Sequence, residues 1–161
     1  YVSLVHGVDS LKLLQEINKQ AKKHNRVIDV LLQMHIAEEE TKFGLDDDEL
    51  NEILNQVQND KFQNIKIIGL MGMATFTENQ NQIKKEFLHL KSIFDKLNTE
   101  QFQLNTLSMG MSGDYKLAID CGSTMVRIAK ILCNFVTLFL CNPKEKEHLR
   151  NPRHRNHWWT I

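Results

Sequence analysis

Ser108, Gly110, Ser112 and Gly113 crowd into six residues just before the short helical string DYKLAID. Small hydroxyl and glycine residues at a helix start leave backbone N–H groups free to cradle a phosphate, with Ser112 able to add a hydroxyl. The same composition also makes an ordinary tight strand-to-helix turn, so the spacing alone leaves both readings open. Other candidates are weaker. His6 and His35 stand at or near strand ends without HxH or HExxH spacing, and read as buried, satisfied histidines rather than metal ligands. No metal site is expected. Glu38, Glu39 and Glu40 could act as paired carboxylates, but three acids in a row after a strand read as a solvated loop and helix start. His154 and His157 lie among Arg153, Arg155, Trp158 and Trp159, and no folded platform is expected to present them to nucleic acid.

The elements that must position these residues alternate. Five apolar or β-branched runs, at 2–8, 27–36, 65–73, 104–110 and 124–128, are separated by stretches of helical period, the pattern of βα units on a parallel sheet. Runs such as VLL and IKIIGLM are apolar on successive residues, as strands covered on both faces require. Between them, Leu11, Leu14, Ile17 and Ala21 predict one buried helical face over 11–24, with Lys12, Gln15, Lys19 and Lys22 outside. Asp46 and Glu49 form a capping box ahead of Leu50, Ile53, Leu54 and Val57. Thr77 and Gln80 repeat the device before the stripe Ile83, Phe87, Leu90, Phe94 and Leu97. In such an architecture the working residues come from the carboxy ends of the strands and the loops after them.

The 161 residues suit one soluble α/β domain, and 20 basic against 20 acidic residues provide no net field toward nucleic acid or a membrane. Cys121, Cys133 and Cys141 are odd in number and form no CxxC, which fits a reducing cytoplasm better than a disulfide framework. The amino terminus lacks a signal-peptide pattern, and a chain opening on Tyr1 in mid-pattern is expected to have begun earlier. All seven glycines precede Ser123, whereas both prolines and both tryptophans follow Cys141. The apolar run 131–141 is too short to span a bilayer and reads as a helix or strand that is at least partly buried. Residues 1–141 are therefore expected to form the folded unit, and 142–161 a divergent, disordered basic tail.

The string LSMGMSGDYKLAIDCGSTMVRI (107–128), together with HIAEEETKFGL (35–45) and IIGLMGMAT (67–75), resembles the pyridoxal-phosphate (PLP) homeostasis proteins, single-domain relatives of the alanine racemase barrel. The resemblance runs in one register from Tyr1 to Ile128. It implies a partial (β/α)8 TIM barrel of the fold-type III PLP kind, comprising about the last five βα units. It also implies a cytoplasmic, non-catalytic PLP-binding protein of intracellular PLP homeostasis, with no specific protein partner. In that family a serine of the SMGMS loop and the loop after an Arg-Ile-Gly motif hold the phosphate, and the arginine lies at the pyridine nitrogen. By position these are Ser112, Ile128, Ala129 and Arg127, with Ser108 and Met109 close by. An arginine there keeps the ring nitrogen unprotonated and weakens PLP as an electron sink.

Two departures follow from the same resemblance. The family carries PLP as a Schiff base on a lysine in a motif like VSKTKP; none occurs here, and Lys42, Lys66, Lys116 and Lys130 belong to later segments. The family's glycine after Arg-Ile is Ala129, which places the break just after Ile128, as a frameshift, an unspliced intron or a mis-called gene end would. The expectation is an incomplete copy that binds PLP weakly or not at all. The alternatives are a fragment of an amino-acid racemase-like enzyme, which would need a second β-rich domain, and a non-functional gene fragment.

Overall fold

The computed structural model describes residues 2–39, 41–59, 61–99, 102–132 and 135–141, with side chains described as far as Ile128. In chain order the elements are β1 (Leu4–Val8), α1 (Leu11–Lys23), β2 (Ile28–Met34), α2 (Asp47–Gln58), β3 (Ile65–Gly72), α3 (Gln80–Leu97), β4 (Thr106–Ser108), α4 (Tyr115–Asp120), β5 (Val126–Leu132) and β6 (Phe135–Cys141). Strands β1 to β4 form one parallel sheet in sequential order, each joined to the next through a helix. This is the βα progression that the alternating runs predict. Among the described residues β1 pairs only with β2, so these four strands do not close into a barrel.

The helices cover one face. Leu14 and Ala21 of α1, Leu50, Ile53 and Leu54 of α2, and Ile83, Phe87, Leu90 and Phe94 of α3 join Val8, Ile28, Val30, Leu32, Met34, Leu70, Leu107 and Met109 in one apolar core. Leu11, Ile17, Val57 and Leu97 pack on it half-buried. Each fully buried Leu or Phe contributes about 1.5–3 kcal/mol, which is what holds so short a fourth strand in place. Alternation then sends the intervening residues to the opposite face. Gln33, Met71 and Ser108 pair in register there, in one row across β2, β3 and β4.

The caps differ in how well the sequence foretells them. At α2 the box forms as expected, with the Glu49 N–H donating to Asp46 Oδ1 at 2.8 Å and the Asp46 N–H to Glu49 Oε2 at 3.1 Å. At α3 the N-cap is Asn79 rather than Thr77; its Oδ1 accepts from the N–H groups of Asn81 and Gln82 at 3.2 and 3.3 Å. Asparagine caps at least as well as threonine, and Thr77 is occupied in the preceding turn, accepting from the Asn79 N–H at 3.2 Å.

The fifth strand is also corrected. The run 124–128 does sit parallel beside β4, through a Ser108–Met125 bridge and the bonds Met109 N–H to Met125 O and Arg127 N–H to Gly110 O. Strand β5 itself, however, continues to Leu132 and pairs antiparallel with β6, from Val126 opposite Cys141 to Leu132 opposite Phe135. Residues 131–132 and 135–141 of that run are thus strand, rich in β-branched and aromatic residues that favour extended backbone. The expectation for residues 142–161 falls outside the described residues.

Candidate functional site

The loop after β4 is shaped by two glycines and a buried serine. Gly110 takes φ +96°, where a Cβ would lie 2.5 Å from that of Ala118, so only glycine lets the chain turn this closely over α4. Around Gly113, by contrast, no atom lies within 4 Å of where a Cβ would stand. Behind the loop the buried Ser123 hydroxyl bridges the carbonyl oxygens of Met109 and Met125, at 2.8 Å each, and reaches that of Leu107 at 3.2 Å. Thr124 Oγ1 accepts from the Leu107 N–H at 2.7 Å. These two side chains lock the end of β4 to the start of β5, and so fix Ser108 relative to Arg127.

Ser108 is fully buried, and its hydroxyl has no hydrogen-bond partner among the described residues. Arg127 is half-buried, yet its Nε and Nη2 are buried and likewise without acceptors. Burial pulls the guanidinium below its ordinary range, opposed by the nearby charge of Asp114. An orphaned hydroxyl and an orphaned guanidinium edge on adjacent strands need acceptors, since an unmet buried donor costs about 1–3 kcal/mol.

The remaining predicted residues fall in different places. Met109 points into the apolar core, and its backbone N–H and C=O are both hydrogen-bonded within the protein. Ser112 is exposed in the turn before α4. Ile128 is half-buried, and Ala129 lies within β5 opposite Leu138, its side chain outside the described residues. Met111 N–H donates to Asp114 Oδ1 at 2.5 Å, closing the SMGMSGD loop on itself.

Two residues depart from the readings given them by sequence. His35 is exposed, and His6 has both ring nitrogens buried without partners among the described residues, so neither is a satisfied buried histidine. Glu38 and Glu39 do lie in a loop, Glu38 exposed, but not at a helix start, and Glu39 is held in place. Glu39 accepts from Thr41 Oγ1 and from the Phe76 N–H at 3.5 Å, and pairs with Lys42 at 3.6 Å. The hydrogen bond from Thr41, with the Phe76 N–H and the Lys42 charge behind it, holds its carboxyl below the usual range. Sequence reasoning also missed Glu86, buried on α3, whose carboxylate accepts from Thr75 N–H and Thr75 Oγ1 at 2.7 Å each and from Glu38 N–H at 3.2 Å. Its position, three residues after Ile83 and four before Leu90, placed a carboxylate on the apolar stripe.

A sequential parallel βα sheet, with polar groups gathered where its strands end, defines an α/β protein of the barrel type. The chain belongs to the alanine racemase N-terminal domain family, whose model matches residues 1–132. That match ends four residues past Ile128.

The chain is similar to the pyridoxal phosphate homeostasis protein of Aquifex aeolicus, at 38% identity over 132 residues, covering 81% of this chain and 57% of that protein. It is similar also to that of Helicobacter pylori, at 36% over 130 residues, covering 81% and 56%. It therefore spans little more than half the length of these relatives. Among solved structures it resembles PipY of Synechococcus elongatus with PLP bound, with a TM-score of 0.69 and 28% identity over 78% of this chain and 58% of PipY. A diaminopimelate decarboxylase from M. jannaschii shares the fold alone, with a TM-score of 0.55 at 16% identity over 65% of this chain and 27% of that one.

Proposed function

We propose that this chain is a PLP-binding part of a cytoplasmic protein of PLP homeostasis, and that it does no chemistry on the cofactor. The observation that carries the reading is the Arg127 guanidinium edge, buried and without an acceptor among the described residues, at the end of a sheet in which Ser108 Oγ is equally unmet among them. PLP would supply what these donors lack: a pyridine nitrogen lone pair for Arg127, with Ser108 within the same pocket. Ser112 would hold the phosphate, beside a loop left open around Gly113, while the backbone of Ile128 and Ala129 lies in register with β6. Met109 would shape the pocket from behind rather than bond the cofactor.

When bound, PLP would supply a reactive aldehyde on an electron-poor ring. Arg127 in turn favours storage over catalysis, because a guanidinium donating to the ring nitrogen leaves no proton there and blunts the ring's electron withdrawal. None of the 161 residues matches the family's lysine-bearing strand end, so in these residues PLP would be held by polar contacts alone and would exchange readily. The test is equilibrium dialysis of the chain with PLP, followed by borohydride. Saturable, dialysable binding that leaves no lysine labelled supports the reading. No binding, or labelling of Lys130, overturns it. Fusing a family-type lysine segment in front of Tyr1 and replacing Ala129 with glycine should convert the binding to a form that survives dialysis.

A further inference from the structure

Both nitrogens of the His6 imidazole are buried, and neither has a hydrogen-bond partner among the described residues. A buried imidazole ordinarily bonds through at least one nitrogen, so a ring with none marks either a missing ligand or an unrepaid cost. Its placement favours the ligand. The pairing of β1 with β2 slips between Val5 and Val8, which leaves His6 and Gly7 together against a single step of β2. At Gly7 a Cβ would stand 3.0 Å from Gln33 Oε1 and 3.8 Å from Met71 Cε, two members of the row that ends at Ser108. The Arg127 charge acts directly on His6, so β5 brings its guanidinium within electrostatic reach of β1.

Three strands thus bring orphaned polar atoms to one region: His6 from β1, Ser108 from β4 and Arg127 from β5. Burial first, and then the Arg127 charge, pushes the His6 pKa below its ordinary value. The ring is therefore neutral near neutral pH, with one N–H donor and one lone pair. The set as a whole is rich in donors. Arg127 offers two unmet groups that can only donate, and Ser108 and His6 add one each, so the missing partner must be rich in acceptors.

We propose that His6 is a third polar contact of the cofactor pocket, its neutral ring donating to an oxygen of bound PLP while Arg127 faces the ring nitrogen. The inference rests on the PLP reading and adds to it a residue from the opposite side of the sheet. It is tested on the 161-residue chain, labelled with 15N in its imidazole rings and titrated with PLP, the His6 signals being assigned from a His6→Phe variant. The two His6 nitrogens should shift saturably with PLP, while those of exposed His35 stay in place. By equilibrium dialysis, His6→Phe should weaken PLP binding about tenfold, the worth of one hydrogen bond into a buried site, and His6→Gln less. If PLP binds and Arg127→Ala weakens it, but the His6 signals do not move and His6→Phe binds as tightly as the unaltered chain, this inference falls and the PLP reading stands. If the unaltered chain binds no PLP, both fall. The label experiment needs no substitution beyond assignment, so a poorly folded variant does not blunt it.

Discussion

Arg127 donates its backbone N–H to the carbonyl oxygen of Gly110 at 3.0 Å, and so ties the start of β5 to the residue on which the loop after β4 pivots. The Arg127 backbone is therefore positioned by a glycine in a left-handed conformation, at φ +96°. Ser123 reinforces the tie by bridging the carbonyls of Met109 and Met125 on either side of it.

Gly110→Ala should accordingly disturb fold and pocket together. The left-handed backbone costs a non-glycine residue about 1–3 kcal/mol, and the methyl group would also have to displace Ala118, 2.5 Å away. Urea denaturation should show a loss of at least about 1 kcal/mol, accompanied by weaker PLP binding; an unchanged midpoint would mean that the turn is not built this way.

Arg127→Ala should separate binding from stability. Losing a charged donor to the ring nitrogen should weaken PLP binding at least about tenfold. Thermal stability should hold or rise slightly, because the removed cation carries two buried, unmet donors. A melting curve beside a dialysis isotherm reads both; a large fall in melting temperature would assign Arg127 to structure instead.

Glu86→Ala should loosen the two loops that follow β2 and β3. Its carboxylate is the shared acceptor for Thr75 and the Glu38 N–H; removing it leaves the Thr75 N–H and hydroxyl without that acceptor, at about 1–3 kcal/mol each before relaxation, while the Glu38 N–H keeps Thr75 Oγ1 at 3.1 Å. Amide exchange at residues 38 and 75 should quicken selectively, and Glu86→Gln should restore part of the protection.

His6 sets a pH dependence whose sign follows from its lowered pKa. In the unfolded chain the imidazole takes a proton near the ordinary value of about 6.5, before the folded chain does, so the unfolded state gains protons first. The stability of the neutral buried ring is full above that value and is lost as the pH falls through the window beneath it. Urea midpoints between about pH 8 and pH 5 should decline in the unaltered chain and more gently in His6→Phe; parallel slopes would remove His6 as the cause.

Much of this was legible because it depends on local period. The stripes Leu50–Ile53–Leu54 and Ile83–Phe87–Leu90–Phe94 could be read as helices, since a spacing of three and four residues permits only one buried face. The Asp46–Glu49 box was legible for the same reason, both partners lying within one turn. Asn79 was not, because Thr77 and Asn79 are both good caps and the turn before the helix decides between them.

What the sequence by itself determined was the order of the βα units, the faces their helices bury and the loop that carries Ser108, Gly110 and Ser112. Each of these follows from residues close together in the chain. Only the tertiary structure decided that Met109 belongs to the core and that β5 runs on into an antiparallel pair with β6. It alone separated exposed His35 from half-buried His6, whose buried ring nitrogens have no partner among the described residues, and set Ser108, Arg127 and His6 on three strands of one region. Burial and hydrogen-bond satisfaction depend on neighbours tens of residues away in sequence, and no local spacing encodes whether a polar atom at a strand end will find a partner there.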